Sequence, residues 1–204
     1  VVGVSKQTDD SKPVRMFIAL ELPRMAREDI ASWGATALTD PALRPVPAEN
    51  LHITLAFLGD RPLGDVERIE EVLEEVADRP VLLELGGPVG RPARGRPRLV
   101  ALPVLHRPVP GLRERLVEVL RFERLFEPEK QLFWPHVTVA RVRTEGGGSR
   151  QPRQVEIPSG PSPTKRIGWF DGVRISLYRS VLQPSGARYV PLAQYELPGG
   201  AAVR

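Results

Sequence analysis

Two short phrases hold the residues best suited to chemistry: His52-Ile-Thr-Leu and His136-Val-Thr-Val. The chain has three histidines in 204 residues, and two of them sit in these matched phrases. Residues two apart on a strand share a face, so the pattern places His52 beside Thr54 and His136 beside Thr138. An imidazole has an ordinary pKa of about 6.5, so one ring can be neutral while its twin is protonated. Two such rings flanking a phosphorus centre can divide an in-line displacement: one removes a proton from the attacking water, the other protonates the departing oxygen. The threonine hydroxyls can hydrogen-bond the non-bridging oxygens and hold the phosphate between the rings. One such phrase would be an ordinary strand with a polar face. Two copies point to one joint site, in which the two histidines are interchangeable on paper.

Other residues carry weaker signals. Arg141 follows His136 by five positions, an odd offset that faces away on a regular strand and turns inward only through a bend or bulge. Turned inward, it supplies a fixed positive charge for phosphate or a planar surface for a base. His106 lacks the pattern and reads as incidental, and Trp33, Trp134 and Trp169 read as core or rim aromatics. Arg91, Arg94, Arg96 and Arg98 could track a nucleic-acid backbone or form a solvated loop, with nothing to favour either. No His-Glu-x-x-His, aspartate cluster or cysteine pair occurs, so neither a metal nor any other cofactor is expected. Gly146-Gly-Gly148 is not followed by Lys-Ser/Thr and is not a Walker loop.

The elements that must position these groups follow from periodicity. Strands are predicted over Val14–Leu22, Leu51–Leu58 (ending at Gly59-Asp60), Val81–Leu85, Leu99–Val104, Phe133–Val142, Trp169–Val181 and Arg188–Leu197. Helices are predicted over Arg24–Leu38, Val66–Ala77 and Leu112–Leu125. In the second of these, Val66, Ile69, Val72, Leu73 and Val76 form one apolar stripe opposite a solvated glutamate face. Gln183-Pro-Ser-Gly186 signals a hairpin turn, and the Gly/Pro-rich stretch from Thr144 to Lys165 reads as a mobile loop. Helices interspersed among strands without strict βαβ alternation predict an α+β fold. The two motifs lie 84 residues apart (52 to 136). That spacing predicts an internal duplication giving two related, pseudo-symmetric lobes, and the element order predicts mainly antiparallel sheets. Residues 1–13 are expected to be a disordered leader, 14–198 a single bilobal domain and 199–204 a tail.

Composition limits the setting. Hydrophobic content of 41% and charged content of 26% suit a globular domain. The 29 basic residues exceed the 25 acidic ones, a modest excess that favours polyanionic partners. Having no cysteine excludes disulfides and thiol nucleophiles. No apolar run approaches a membrane span, and the expected address is cytoplasmic.

The segments Arg15-Met-Phe-Ile-Ala-Leu, Glu49-Asn-Leu-His-Ile-Thr-Leu-Ala-Phe-Leu-Gly59, Pro135-His-Val-Thr-Val-Ala-Arg141, Leu177-Tyr-Arg-Ser and Pro184-Ser-Gly-Ala-Arg-Tyr189 together resemble the 2H phosphoesterase superfamily. The nearest likeness is to its RNA 2′,3′-cyclic phosphodiesterase (2′–5′ RNA ligase-like) branch, and it extends over about residues 14–198. It implies a bilobal α+β fold with both motif strands lining a central cleft, no metal, and hydrolysis of RNA 2′,3′-cyclic phosphate ends to 2′-phosphomonoesters, with reversible 2′–5′ ligation as a companion activity. It also implies His52 as the general acid toward the 3′ oxygen, His136 as the base that activates water, and Thr54, Thr138 and Arg141 as substrate-binding residues. RNA is the implied partner, and a monomer the expected state. Two other readings stay open: a related enzyme acting on 2′–5′ oligonucleotides or small cyclic nucleotides, and a non-catalytic RNA-binding protein. Two features depart from the pattern: Ala56 stands where the branch often has a basic residue, and the 144–165 stretch is richer in glycine and proline.

Overall fold

A computed structural model describes residues 12–105, 108–128, 132–183 and 186–199. The chain runs β1 (Val14–Glu21), α1 (Arg24–Ala37), β2 (Leu43–Pro45), β3 (His52–Arg61), α2 (Val66–Val76), β4 (Leu82–Leu83) and β5 (Val89–Arg91). It continues through β6 (Leu99–Pro103), α3 (Pro108–Phe122), β7 (His136–Val142), β8 (Phe170–Asp171), β9 (Arg174–Gln183) and β10 (Gly186–Glu196). The fold is α+β with antiparallel sheet, as the pattern predicts.

Eight strands form one sheet in the order β10-β9-β1-β3-β7-β6-β5, with β2 also pairing to β7. The motif strands β3 and β7 meet through a single residue pair, Ile53 with Val137. Two four-stranded halves are thus continuous through one rung, where the sequence suggested a sheet in each of two lobes. The pairing of the motif strands is what joins them.

The sheet buries one face against the helices. Met16, Ile18 and Leu20 of β1, Ile53 of β3, Val100 and Leu102 of β6, and Ile175 and Leu177 of β9 are buried in one core. α2 adds Ile69, Val72, Leu73 and Val76, its predicted stripe except for the half-buried Val66. Alternation along each strand leaves the other face for chemistry.

Local departures from the sequence reading have identifiable causes. β3 runs through Gly59 to Arg61, because Gly59 is a bulge site and not a terminator: Met16 pairs with Gly59 and Phe17 with Phe57, and Gly59 has φ +73°. The Val81–Leu85 strand shrinks to Leu82–Leu83 paired with β8, plus a bridge from Leu85 to Val104. The connection over 86–98 holds a strand, β5, too short to show a period. α3 starts at Pro108, where proline is well placed in a first helical turn. His106 and the Pro184-Ser185 turn lie outside the described residues, as do residues 1–11 of the expected leader.

The 144–165 stretch has no helix or strand beyond a bridge between Thr144 and Pro152, yet it is anchored. Arg96 pairs with Glu145, Ile157 packs into the space beside Gly90, and Thr164 is buried. A Cβ on Gly87 would stand 2.3 Å from the Gly160 carbonyl oxygen. Gly87→Ala is therefore expected to lower stability by about 1–3 kcal/mol, the usual range for overpacking. Denaturant melts check this; an unchanged midpoint would mean that the segment yields freely. Among the described residues no helix is long and apolar enough to cross a membrane.

Candidate active site

Each motif histidine opens its strand after an irregular approach. A 3-10 turn over Ala48–Asn50 delivers His52, and Trp134-Pro135 delivers His136. Continuing the antiparallel register from the Ile53–Val137 rung sets His52 toward Thr138 and Thr54 toward His136. A local two-fold axis through that rung relates the two phrases, and all four side chains share one face. The alternation of burial is the same in both strands for six residues from each histidine.

Both rings are held the same way. Nδ1 of His52 lies 2.8 Å from the Asn50 carbonyl oxygen, and Nδ1 of His136 lies 2.8 Å from that of Trp134. A carbonyl oxygen only accepts, so Nδ1 donates in each ring and Nε2 is left to take or give a proton. The Thr54 hydroxyl is 3.1 Å from His52 Nε2 and donates to it when the ring is neutral.

The odd offset of Arg141 is resolved by a bulge. On β6, Val100 pairs with Ala140 but its neighbour Ala101 pairs with Thr138, leaving Val139 as the extra residue. On β1, Ile18 pairs with Ala56 and Ala19 with Thr54, leaving Leu55 extra. Both bulges fall three residues after the histidine, and each reverses the alternation beyond it. The fifth residue after each histidine therefore returns to the histidine face. In β7 that residue is Arg141; in β3 it is Phe57, which is 56% exposed.

The two halves differ in what surrounds each ring. Glu21 is the cross-strand partner of His52 and is buried. Its Oε1 accepts from Ser176 Oγ (2.5 Å), Tyr178 Oη (2.7 Å) and Gln194 Nε2 (2.9 Å), and its Oε2 from Arg174 Nε (3.0 Å). Burial pushes this carboxyl up, but the four donors outweigh it and hold Glu21 below its ordinary value. Burial and the Glu21 carboxylate together push the Tyr178 phenol up. Phe17 and Tyr189 approach the His52 ring at 5.1 and 5.4 Å. Around His136, Trp134 stacks at 4.3 Å between centroids, and the Arg91 guanidinium lies 4.0 Å from the indole centroid.

Burial lowers the His52 pKa to about 4; Arg141 and His136 push the same way, against the Asn50 carbonyl and Glu21. Burial also lowers His136, helped by Arg91 and Arg141 and opposed by the Trp134 carbonyl. Both imidazoles are therefore neutral near pH 7 in the free protein. That suits a site that receives a proton together with an anionic ligand.

The structure brings His52, His136, Thr54, Thr138 and Arg141 to one face. It adds Glu21, Phe57, Trp134 and Arg91, which sequence reasoning did not select for the site. The Arg91–Arg98 cluster divides: Arg91 joins the site, whereas Arg96 pairs with Glu145 and donates to the Pro152 carbonyl. A cavity of about 250 Å³ bounded by Glu84, Leu85, Gly86, Thr164 and Lys165 includes none of these site residues. Among the described residues no group of three or more His, Cys, Asp or Glu side chains could hold a metal ion.

The sequence profile of the family described as LigT like Phosphoesterase matches residues 20–98, which include the first motif. The chain is also 31% identical over 192 residues to the RNA 2′,3′-cyclic phosphodiesterase of Escherichia coli (strain K12), covering 92% of this chain and 98% of that protein. The chain belongs to the LigT-like phosphoesterase family. Its fold matches the family's solved structures over nearly the whole chain. A crystal structure of a Thermus thermophilus protein superposes with TM-score 0.73 at 26% identity, covering 91% of this chain and 98% of that one. Escherichia coli LigT complexed with 3′-AMP superposes with TM-score 0.71 at 25% identity, covering 92% and 99%.

Proposed function

We propose that this LigT-like phosphoesterase hydrolyses 2′,3′-cyclic phosphate ends of RNA to 2′-phosphomonoesters, using two histidines and no metal. The observation that carries this reading is the pair of imidazoles about the Ile53–Val137 rung, each with Nδ1 tied to a carbonyl and Nε2 left for proton transfer. The name of its Escherichia coli relative supports the substrate.

His136 Nε2 removes a proton from water as the water oxygen bonds to phosphorus. The bond from phosphorus to the 3′ oxygen breaks, and His52 gives that oxygen its proton. The products are a 3′ hydroxyl and a 2′ phosphate. This division follows the charges that distinguish the rings: His52 has the Glu21 carboxylate across the β1–β3 pair and His136 has Arg91, while Arg141 acts on both. A neighbouring anion favours the protonated ring and neighbouring cations the neutral one. Burial leaves His52 a weak base in the free protein, so its proton depends on the bound phosphate. Thr54, Thr138 and Arg141 hold the non-bridging oxygens. With a 5′ hydroxyl in place of water, the same displacement at phosphorus would break the bond to the 3′ oxygen and leave a 2′–5′ linkage, through the same groups.

Incubating the protein with EDTA and an RNA ending in 2′,3′-cyclic phosphate tests the proposal. The expected product is a 2′-phosphate at a rate unaffected by the chelator. A 3′-phosphate product, or turnover abolished by EDTA and restored by a divalent metal, would overturn it.

A further inference from the structure

The face that carries the histidines holds more fixed positive charge than one phosphate requires. β2 takes over the edge of β7 that β3 vacates beyond the Ile53–Val137 rung, and there Arg44 pairs directly with Arg141. Side chains directly opposite on neighbouring strands share a face with Cβ atoms roughly 5 Å apart, and like charges there are destabilising. The pairing continues across the sheet from Arg141 to Leu99 on β6 and from Leu99 to Arg91 on β5. Arg44, Arg141, Leu99 and Arg91 therefore form one transverse row on the histidine face. Among the described residues none of the three arginines has a carboxylate partner, and Arg44 and Arg141 are exposed. By contrast, Arg61, Arg68 and Arg174 each sit against an acid.

Distance separates their duties. Along β7 the row lies four pairing steps from His136, about 13 Å at a rise of about 3.3 Å per residue. Arg141 acts on both imidazoles and Arg91 on His136. Arg44 stands on the outlying strand and, among the described residues, has no ring, stacked aromatic or acid as a partner. A cross-strand arginine pair with no counter-charge is unfavourable by itself and becomes favourable when a polyanion lies across it. A single-stranded nucleic acid supplies such a backbone.

We infer that Arg44 binds a backbone phosphate of the RNA chain upstream of the cyclic end, and so makes the enzyme prefer oligonucleotides to mononucleoside cyclic phosphates. This rests on the activity proposed above and adds the chain-length preference of the same site. The β7 half of the sheet then carries the backbone of the substrate, and the position that matches Arg141 in the other half is Phe57.

The test compares kcat/KM for a short oligoribonucleotide ending in 2′,3′-cyclic phosphate with that for a mononucleoside 2′,3′-cyclic phosphate, in wild type and Arg44→Gln, over a salt series. Arg44→Gln is expected to lower the oligonucleotide value several-fold. It should flatten the log–log salt slope by about 0.7, the release expected for one single-strand phosphate contact. The mononucleoside value should change less than twofold. An equal loss on both substrates would assign Arg44 to the terminal phosphate and overturn the inference, as would an unchanged salt slope. The melting temperature should hold or rise once the like-charge pair is relieved; a fall would make Arg44 structural and would also overturn it. Anisotropy titration of the same oligonucleotide carrying a 2′-phosphate end reads the contact without turnover. If wild type hydrolyses neither substrate, the proposed activity fails, while the Arg44 contact still stands or falls on the salt slope of binding.

Discussion

His52→Ala and His136→Ala should each lower kcat by about 10²–10⁴-fold, the usual contribution of one positioned proton-transfer group. On the proposed mechanism the rings act on the two ends of one displacement, so the double variant should fall little below the worse single variant. Neither change should unfold the protein, since both side chains are only half-buried on the open face. The pH dependence carries a sign. In the free protein both rings are held below their ordinary value, His52 at about 4. The protonated acid therefore becomes scarce as pH rises, and kcat/KM, which reports the free protein, should already decline on the alkaline side below about pH 6.5. A bound phosphate anion favours protonated imidazole, so the alkaline limb of kcat should lie at higher pH. These limbs belong to the coupled pair and not to either ring alone. Steady-state profiles on a cyclic phosphate substrate check both parts. Coincident limbs would mean that the anion does not sit between the rings, and a single variant retaining near-full kcat would remove that histidine from the chemistry.

Glu21→Ala should cost about 2–4 kcal/mol of stability, because it strands four donors that converge on one buried carboxylate. Ser176, Tyr178, Gln194 and Arg174 all point at this group, and Arg174 keeps only its exposed partner Glu196. Glu21→Gln should cost less, since its amide oxygen still accepts from the hydroxyls. The same variants read electrostatics: without the anion across the β1–β3 pair, His52 should titrate lower still, visible in its imidazole NMR signals. Acid lability follows from the native carboxylate. Its folded pKa is depressed, so its stabilisation is present above the ordinary carboxylate pKa and is lost as pH falls through the folded value. His52 adds to the same trend: its contribution is full above about 6.5 and is lost as pH falls toward about 4. Denaturant melts across pH measure this. A Glu21→Ala protein as stable as wild type would show the network to be ornamental.

Much of the site was legible because its information is local. A histidine and a threonine two residues apart share a strand face wherever the strand goes, and the doubled phrase marked both rings. Arg141 was legible only as a conditional: its orientation depends on a bulge at Val139, which arises from how β6 pairs with β7. The mirrored bulge at Leu55 brings Phe57 onto the same face, and nothing in the run Ala-Phe-Leu signals it. Glu21 lies inside the predicted Val14–Leu22 strand with no signal of its own, because its partners lie more than 150 residues away in sequence. Trp134 looked like a rim aromatic until the chain placed it against His136. The strand β5 hid in a run of glycine, proline and arginine because three residues show no period.

The solitary rung between Ile53 and Val137 also sets the leverage of the molecule. Each histidine of the proposed mechanism is the residue next to that rung, whereas Phe57 and the Arg44–Arg141 pair lie well out along their strands. If the halves rock about the rung, the points near the pivot travel least and the outlying ones most. On the proposed mechanism the groups that meet phosphorus sit at the fulcrum, and the groups proposed to grip the rest of a variable substrate sit on the arms.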